Sequence, residues 1–230
     1  MRRYRTLVLA LTLALVPSSL SAQTQFAISG FGGAFLPASD LTGGTYFFGP
    51  GEISGFDGGD VAATFSHKTA FNFGGRLTVW PSQRIGFEAE AAFVLSDMNL
   101  DLLIPIIDPG PPQVVNLLSP DDPFKIESNV FMGSVNFVYG LIRPPLEPLV
   151  VFVSVGVGFV SHGGDSGDWL ETTSNVAGTW GFGLKYGVAR GVWLRGDVRD
   201  YFYKFEEGDW EAKWQNDLLV NAGLEFSFGS

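Results

Sequence analysis

The sequence predicts an all-β protein, an eight-stranded antiparallel up-and-down transmembrane β-barrel. Three observations carry that expectation. Eight segments alternate apolar with polar or small residues at period two. Most run about 9–11 residues or a little more, the length a tilted membrane-crossing strand needs. The links between them are sorted into short and long in turn, as they are in barrels with tight turns on one side of a membrane and large loops on the other.

The first strand is Phe26 to Leu36, with Phe26, Ile28, Ala34 and Leu36 in one phase. Phe31 and Phe35 lie in the other phase, so its alternation is the weakest. The second, Phe71 to Trp80, and third, Ile85 to Leu95, are the clearest, with apolar odd positions opposite Asn72, Arg76, Glu88 and Glu90. The fourth, Asn129 to Tyr139, sets Phe131, Val135, Phe137 and Tyr139 against Ser134 and Asn136. The fifth, Leu149 to Phe159, sets valines and Phe159 against Ser154, Gly156 and Gly158. It is too short, too β-branched and too glycine-rich for a membrane helix. The sixth, Val176 to Tyr186, sets Trp180, Phe182 and Leu184 against Thr179 and Lys185. The seventh, Val192 to Phe202, sets Leu194 and Val198 against Arg195, Asp197, Arg199 and Tyr201. The eighth, Trp214 to Phe228, sets Leu218, Val220, Leu224 and Phe226 against Gln215, Asp217, Asn221 and Glu225.

Pro81 to Arg84, Gly140 to Pro148 and Gly187 to Gly191 are the short links, expected on the periplasmic side. Pro37 to Ala70, Ser96 to Ser128, Val160 to Asn175 and Tyr203 to Lys213 are expected as outside loops.

Residues 1–22 read as a signal peptide. Arg2, Arg3 and Arg5 precede the apolar run Leu7 to Val16, and Pro17 to Ala22 ends in a small-x-small cleavage site. Residues 23–230 then form one barrel domain. The chain has no cysteine, so no disulfide framework supports it. The formal net charge of −10 becomes more negative once the signal arginines are removed, which argues against nucleic-acid binding. The 30 glycines and 21 phenylalanines suit a barrel with small residues inside and aromatics facing lipid.

The face opposite the apolar stripe holds Arg76, Glu88, Glu90, Lys185, Arg195, Asp197, Arg199 and Glu225. An eight-stranded barrel is only wide enough inside for side chains. These eight are therefore expected to meet as a lumen charge network, serving as a structural plug rather than a conducting pore. Trp80, Tyr139, Tyr186 and Phe228 fall at one set of strand ends, and Trp169, Trp210 and Trp214 at the other, as interfacial girdles would. Trp80 has lumen parity, so it joins a girdle only if its strand stops there.

At this level the chain resembles the OmpA/OmpX-type small outer-membrane β-barrel family. The resemblance covers Gln25 to Phe228. It rests on the eight strands, on Phe26-Ala27-Ile28-Ser29-Gly30-Phe31-Gly32-Gly33, on Trp193 to Tyr201, and on the closing strand Leu218 to Phe228. That last strand is similar to the signal read by the barrel assembly machinery, followed here by Gly229-Ser230. The resemblance implies a bacterial outer-membrane location, with outer-membrane lipid and lipopolysaccharide as surroundings. It implies no single activity, since the family includes anchors, adhesins, pores and lipid enzymes.

Three functions remain open: a structural or surface-binding role carried by outside loops, a narrow pore for small hydrophobic or ionic solutes, and a lipid A-modifying enzyme. Ser161, His162, Asp165 and Ser166 make the last imaginable, but adjacency does not orient a base on a nucleophile. No catalytic role, cofactor or metal is expected. His67 and His162 fall at outer strand ends or in loops, and two histidines make a poor zinc set. The acidic loop residues Asp165, Asp168, Glu171, Glu206, Glu207, Asp209 and Glu211 are read as solvation. Leu100 to Leu118 is too apolar for a solvated loop. It is expected to extend the neighbouring strands as a hairpin, dock on the barrel mouth, or bind a hydrophobic ligand or surface partner.

Overall fold

The computed structural model describes residues 24–38, 42–48, 59–105, 114–116, 125–142, 148–163, 174–205 and 213–229. The expected signal peptide lies outside them. Thirteen strands follow in chain order: β1 (Gln25–Pro37), β2 (Thr42–Phe48), β3 (Gly59–His67), β4 (Ala70–Trp80), β5 (Ile85–Leu95), β6 (Asp97–Pro105), β7 (Val114–Asn116), β8 (Lys125–Glu127), β9 (Asn129–Ile142), β10 (Leu149–Gly163), β11 (Ser174–Ala189), β12 (Val192–Phe205) and β13 (Lys213–Phe228). Eight of them close a barrel in the order β1-β13-β12-β11-β10-β9-β5-β4. Each pairs antiparallel with its barrel neighbours along the chain, and β1 pairs with both β13 and β4, so no barrel edge is left open. Among the described residues no helix is long and apolar enough to cross a membrane; a crossing would be made by these strands.

Period two fixes which face each side chain takes. Leu77, Val135, Val157, Val176 and Trp180 point outward and are more than half exposed. Arg76, Asn136, Thr179 and Asp197 point inward and are buried. The result is an inverted protein, apolar outside and polar within, which is stable only if the outside meets lipid. At the turn end, Ser82 Oγ accepts from the amides of Arg84 (3.4 Å) and Ile85 (3.1 Å), fixing the β4–β5 hairpin. Gly191 adopts φ +75° in the β11–β12 turn, where a Cβ would strain the backbone.

The loop end departs from expectation. Pro37 to Ala70 and Ser96 to Ser128 are not plain loops. Their described parts hold β2, β3, β6, β7 and β8, which form a second, five-stranded sheet ordered β2-β3-β6-β7 with β8 also on β6. The reason is continuity of pairing. β3, β6 and β8 prolong β4, β5 and β9 after breaks of only one or two residues at Lys68-Thr69, Ser96 and Ser128. The amide of Lys68 donates to Asp97 O (3.1 Å) and that of Ser128 to Ser96 O (3.0 Å), so the ladders carry across the breaks. Within Leu100 to Leu118, residues 100–105 and 114–116 form the β6–β7 hairpin; residues 106–113 and 117–118 lie outside the described residues.

A cation on the outward face discriminates a lipid-facing from a water-facing wall. Val135 lies near the middle of β9 and is 60% exposed. Val135→Arg should cost about 2–4 kcal/mol in bilayers. Urea unfolding of the protein in lipid vesicles would measure it.

Candidate functional site

The closed wall turns a polar face inward, and the lumen resolves into layers. At the turn end Trp80, Val138 and Phe152 form an apolar cluster. Trp80 therefore belongs to the lumen and not to a girdle; it is 6% exposed because β4 continues through it in the inward phase. Tyr139, Tyr186 and Phe228 do face outward. At the other end Trp214 faces outward, stacked on Phe202 at 4.9 Å. Trp169 and Trp210 lie outside the described residues.

Above the Trp80 cluster sits the charge network. All eight residues expected there, Arg76, Glu88, Glu90, Lys185, Arg195, Asp197, Arg199 and Glu225, are at most 6% exposed and ion-paired. Four are basic and four acidic, so the set is formally neutral. Glu88 is the hub. Its two oxygens accept from Arg195 Nη1 (2.5 Å) and Nη2 (3.1 Å) in a bidentate pair. They also accept from Arg199 Nη2 (2.7 Å) and Thr78 Oγ1 (3.0 Å). Glu90 accepts from Arg199 Nη1 (2.7 Å), from Arg76 Nε, and from the Tyr201 hydroxyl (3.0 Å). Arg76 Nη2 donates to Asp197 Oδ1 (2.8 Å), and Arg195 Nε reaches Asp197 Oδ2 (3.3 Å). Lys185 Nζ donates to Glu225 Oε1 (2.7 Å) and lies 4.7 Å from the Trp80 ring centroid. Arg76–Asp197, Arg195–Glu88, Arg199–Glu88 and Arg199–Glu90 join β4 and β5 to β12 across the lumen, and the remaining pairs link residues on the same side. The network is thus a set of struts across the lumen.

Toward the loop end the lumen becomes apolar again. Phe31, Phe35, Ala92, Val94, Val130, Met132, Val160, Ala177, Tyr201, Tyr203, Phe205 and Leu219 form one buried cluster. The two phenylalanines that weakened the first strand's alternation are the β1 contribution to it. Arg76 caps this layer, its guanidinium carbon 3.9 Å from the Phe31 ring centroid.

Above that cluster the chain's two histidines meet. His67 from β3 and His162 from β10 stack with centroids 5.2 Å apart, 7% and 5% exposed. Both are buried, which their placement at strand ends or in loops did not anticipate. Tyr203 donates to Asp217 Oδ2 (2.8 Å), and its oxygen lies 3.4 Å from His162 Nε2. His67 Nδ1 lies 3.3 Å from Ser96 Oγ. Parity would have found these residues had the strands been continued: His162 and Tyr203 keep the inward phase of β10 and β12 past the ends set at Phe159 and Phe202. His162 and Ser161 project to opposite faces, and Ser161 Oγ accepts from Ser174 Oγ (3.0 Å). The sequence neighbours do not form a nucleophile–base pair; Asp165 and Ser166 lie outside the described residues, as do Asp168, Glu171, Glu206, Glu207, Asp209 and Glu211. Among the described residues no three His, Cys, Asp or Glu side chains are grouped to hold a metal.

One carboxylate faces the other way. Asp200 lies on the outward face of β12, and Trp180 Nε1 donates to its Oδ2 at 2.8 Å. The indole covers the charge where lipid would otherwise meet it, leaving Asp200 9% exposed.

Two measurements follow from this geometry. Removing one strut leaves its partners buried and uncompensated, so Arg199→Leu should destabilise the barrel by about 3–5 kcal/mol. Arg199→Leu combined with Glu90→Leu should recover part of that loss in urea unfolding. His67 lies on β3, above the membrane-spanning strands, and burial lowers it from 6.5 to about 4. It faces Ser96 and His162, with Tyr203 and Asp217 behind. The neutral ring fits the site, while a released ring takes up a proton below about pH 6.5. Attachment of β3 should therefore be full above that pH and weaken as pH falls toward 4. Hydrogen exchange of the β3 amides, corrected for intrinsic rates, should show it, and His67→Phe with His162→Phe should flatten the dependence.

Comparison with known proteins bears on the fold. No family model and no curated protein sequence matches the chain. Solved structures do. The outer membrane protein OprG from Pseudomonas aeruginosa superposes over 91% of this chain and 98% of its own, at 11% identity and TM-score 0.57. Neisserial surface protein A covers 90% of this chain and 99% of its own, at 8% identity and TM-score 0.50. At such low identity the shared property is architecture: this chain has the fold of these small outer-membrane barrels, an eight-stranded antiparallel ring.

Proposed function

We propose that this chain is an integral protein of a bacterial outer membrane, exported through a signal peptide cleaved after Ala22, with a structural or surface-binding role and no catalytic one. The observation that carries the reading is the filled lumen. A neutral set of struts lies between two apolar clusters, and the large inward side chains Arg199, Tyr201, Phe35 and Phe152 are at most 1% exposed. Among the described residues, a lumen so packed leaves no passage for a solute. What the architecture does not consume is the five-stranded sheet above the loop end. That sheet is the surface a partner would meet, and the apolar stretch Leu100 to Leu118, of which residues 100–105 and 114–116 belong to the sheet, suits a hydrophobic ligand or partner. The outward apolar wall suits outer-membrane lipid and lipopolysaccharide. The two fold neighbours are by name an outer membrane protein and a surface protein, which supports the location. The separation of Ser161 from His162 supports the non-catalytic reading.

An epitope inserted between β2 and β3 should be reached by antibody on intact Gram-negative cells, whereas one in the 81–84 turn should not. The folded protein in planar bilayers should give a flat trace. A steady conductance would overturn the sealed lumen in favour of the narrow pore. Altered lipid A in cells expressing the wild type, abolished by Ser161→Ala with His162→Ala, would favour the enzyme.

A further inference from the structure

The charges carried by the links between barrel strands are sorted by end. At the loop end, residues 37–70, 96–128, 160–175 and 203–213 hold 17 Asp and Glu, four Lys and no Arg. The three turn-end links hold Arg84, Arg143 and Arg190 against a single acid, Glu147. Every arginine outside the expected signal peptide and the lumen network is therefore at the turn end. Arg143 lies outside the described residues. Arg84 and Arg190 are exposed at hairpin tips. Among the described residues neither is ion-paired, whereas all four lumen bases are.

The β11–β12 tip is held in place by the neighbouring strand. The Gly191 carbonyl accepts from the Ser227 amide at 2.8 Å, which ties the tip to β13. A Cβ on Gly191 would lie 2.9 Å from Ser227 O, so tip and strand are in close contact. Arg190 thereby borders an open groove of about 580 Å³ that wraps the rim of the barrel. Val192, Phe226 and Phe228 line its outward side, where Val192 pairs with Phe226. Gln25 and Ser227, which have the inward phase of their strands, line the other side. The groove joins one cation, an apolar wall on the outward face and a polar inner edge. The β4–β5 tip repeats part of this pattern: Arg84 precedes Ile85, which pairs with Tyr139, and both of these face outward.

We propose that the turn-end rim binds an anionic glycerophospholipid, its phosphate on Arg190 and its acyl chains along Phe226 and Phe228, with Arg84 as a second phosphate contact around the rim. The inference rests on the reading that the outward wall faces lipid. Charge fixes the class of lipid. The tip carries a cation with no carboxylate paired to it among the described residues, so an anionic headgroup neutralises it, while a zwitterionic one brings a cation of its own. Arginine suits the phosphate, because two N–H groups of its planar fork reach two phosphate oxygens together. Position fixes the rest. Phe226 and Phe228 continue the outward face that acyl chains cover, and Arg190 stands just beyond it at headgroup level. Free phosphate would leave that apolar side unused. The acidic excess at the loop end repels the same headgroup, so the preference belongs to one end of the barrel.

The test places the protein in phosphatidylcholine nanodiscs and replaces that lipid stepwise by phosphatidylglycerol. NMR should show saturating shifts at the backbone amides of residues 190–192 and 226–228. Arg190→Gln should raise the midpoint at least threefold, and Arg84→Gln should remove the matching shift at Ile85. Lys204→Gln with Lys213→Gln, at the loop end, should leave both responses unchanged. Heat-dependent gel mobility shows that each variant is folded. Absence of shifts in the wild type overturns the proposal without any mutation. An Arg190→Gln midpoint equal to the wild type overturns it, as does a loss caused by the lysine pair, which would place the lipid at the loop end. Equal shifts on adding inorganic phosphate to pure phosphatidylcholine discs also overturn it, by making the site one for a free anion. A protein that enters no bilayer at all refutes the lipid-facing wall and the proposal with it, which separates that failure from the others.

Discussion

Closing eight strands into a ring leaves an interior as wide as the side chains that point into it, and everything else in this protein adjusts to that width. The outside must be apolar to meet lipid. Period two then presents the other half of each strand to a space with little room for solvent. Charges placed there have to neutralise one another at contact distance. The four basic and four acidic residues around Glu88 do so, and they come from strands on facing walls. The network is costly to desolvate and is no simple source of stability. Its value is geometric, because struts of fixed length hold opposite walls apart and in register.

The neutrality of that set also explains the layering. Once the charges are paired in the middle of the lumen, the space above and below can be filled with apolar side chains. Trp80 and Phe152 do this at the turn end, with Lys185 and Arg195 lying against their rings. Phe31, Phe35 and Leu219 do it toward the loop end. Asn72 and Asn221 both pair with Gly33, where β1 and β13 approach too closely for a side chain.

Much of this was legible from period two. The eight barrel strands lie where the alternation put them, most starting or ending within three residues of the expected bounds. All eight lumen charges face inward, since parity on a paired strand leaves no other choice. The failures share one cause. The expected ends at Phe159 and Phe202 fall short because pairing continues as long as a neighbouring strand offers a ladder. β10 therefore runs on to Gly163 and β12 to Phe205, which carries His162 and Tyr203 into the lumen. For the same reason β3 and β6 rise above the barrel, although Met98, Leu100, Leu102 and Ile104 continue the alternation in the sequence itself.

The sequence by itself determined which residues face lipid and which face the interior, because the side-chain period of a strand is two whatever it pairs with. It also determined that eight of the inward residues are four bases and four acids. Only the tertiary structure decided which cation meets which anion, that His67 stacks on His162 across 95 residues of chain, and that Asn72 and Asn221 flank the same glycine. Those are facts of register and ring closure. They depend on how far each strand is staggered against the next, and no local pattern in a single strand records that offset.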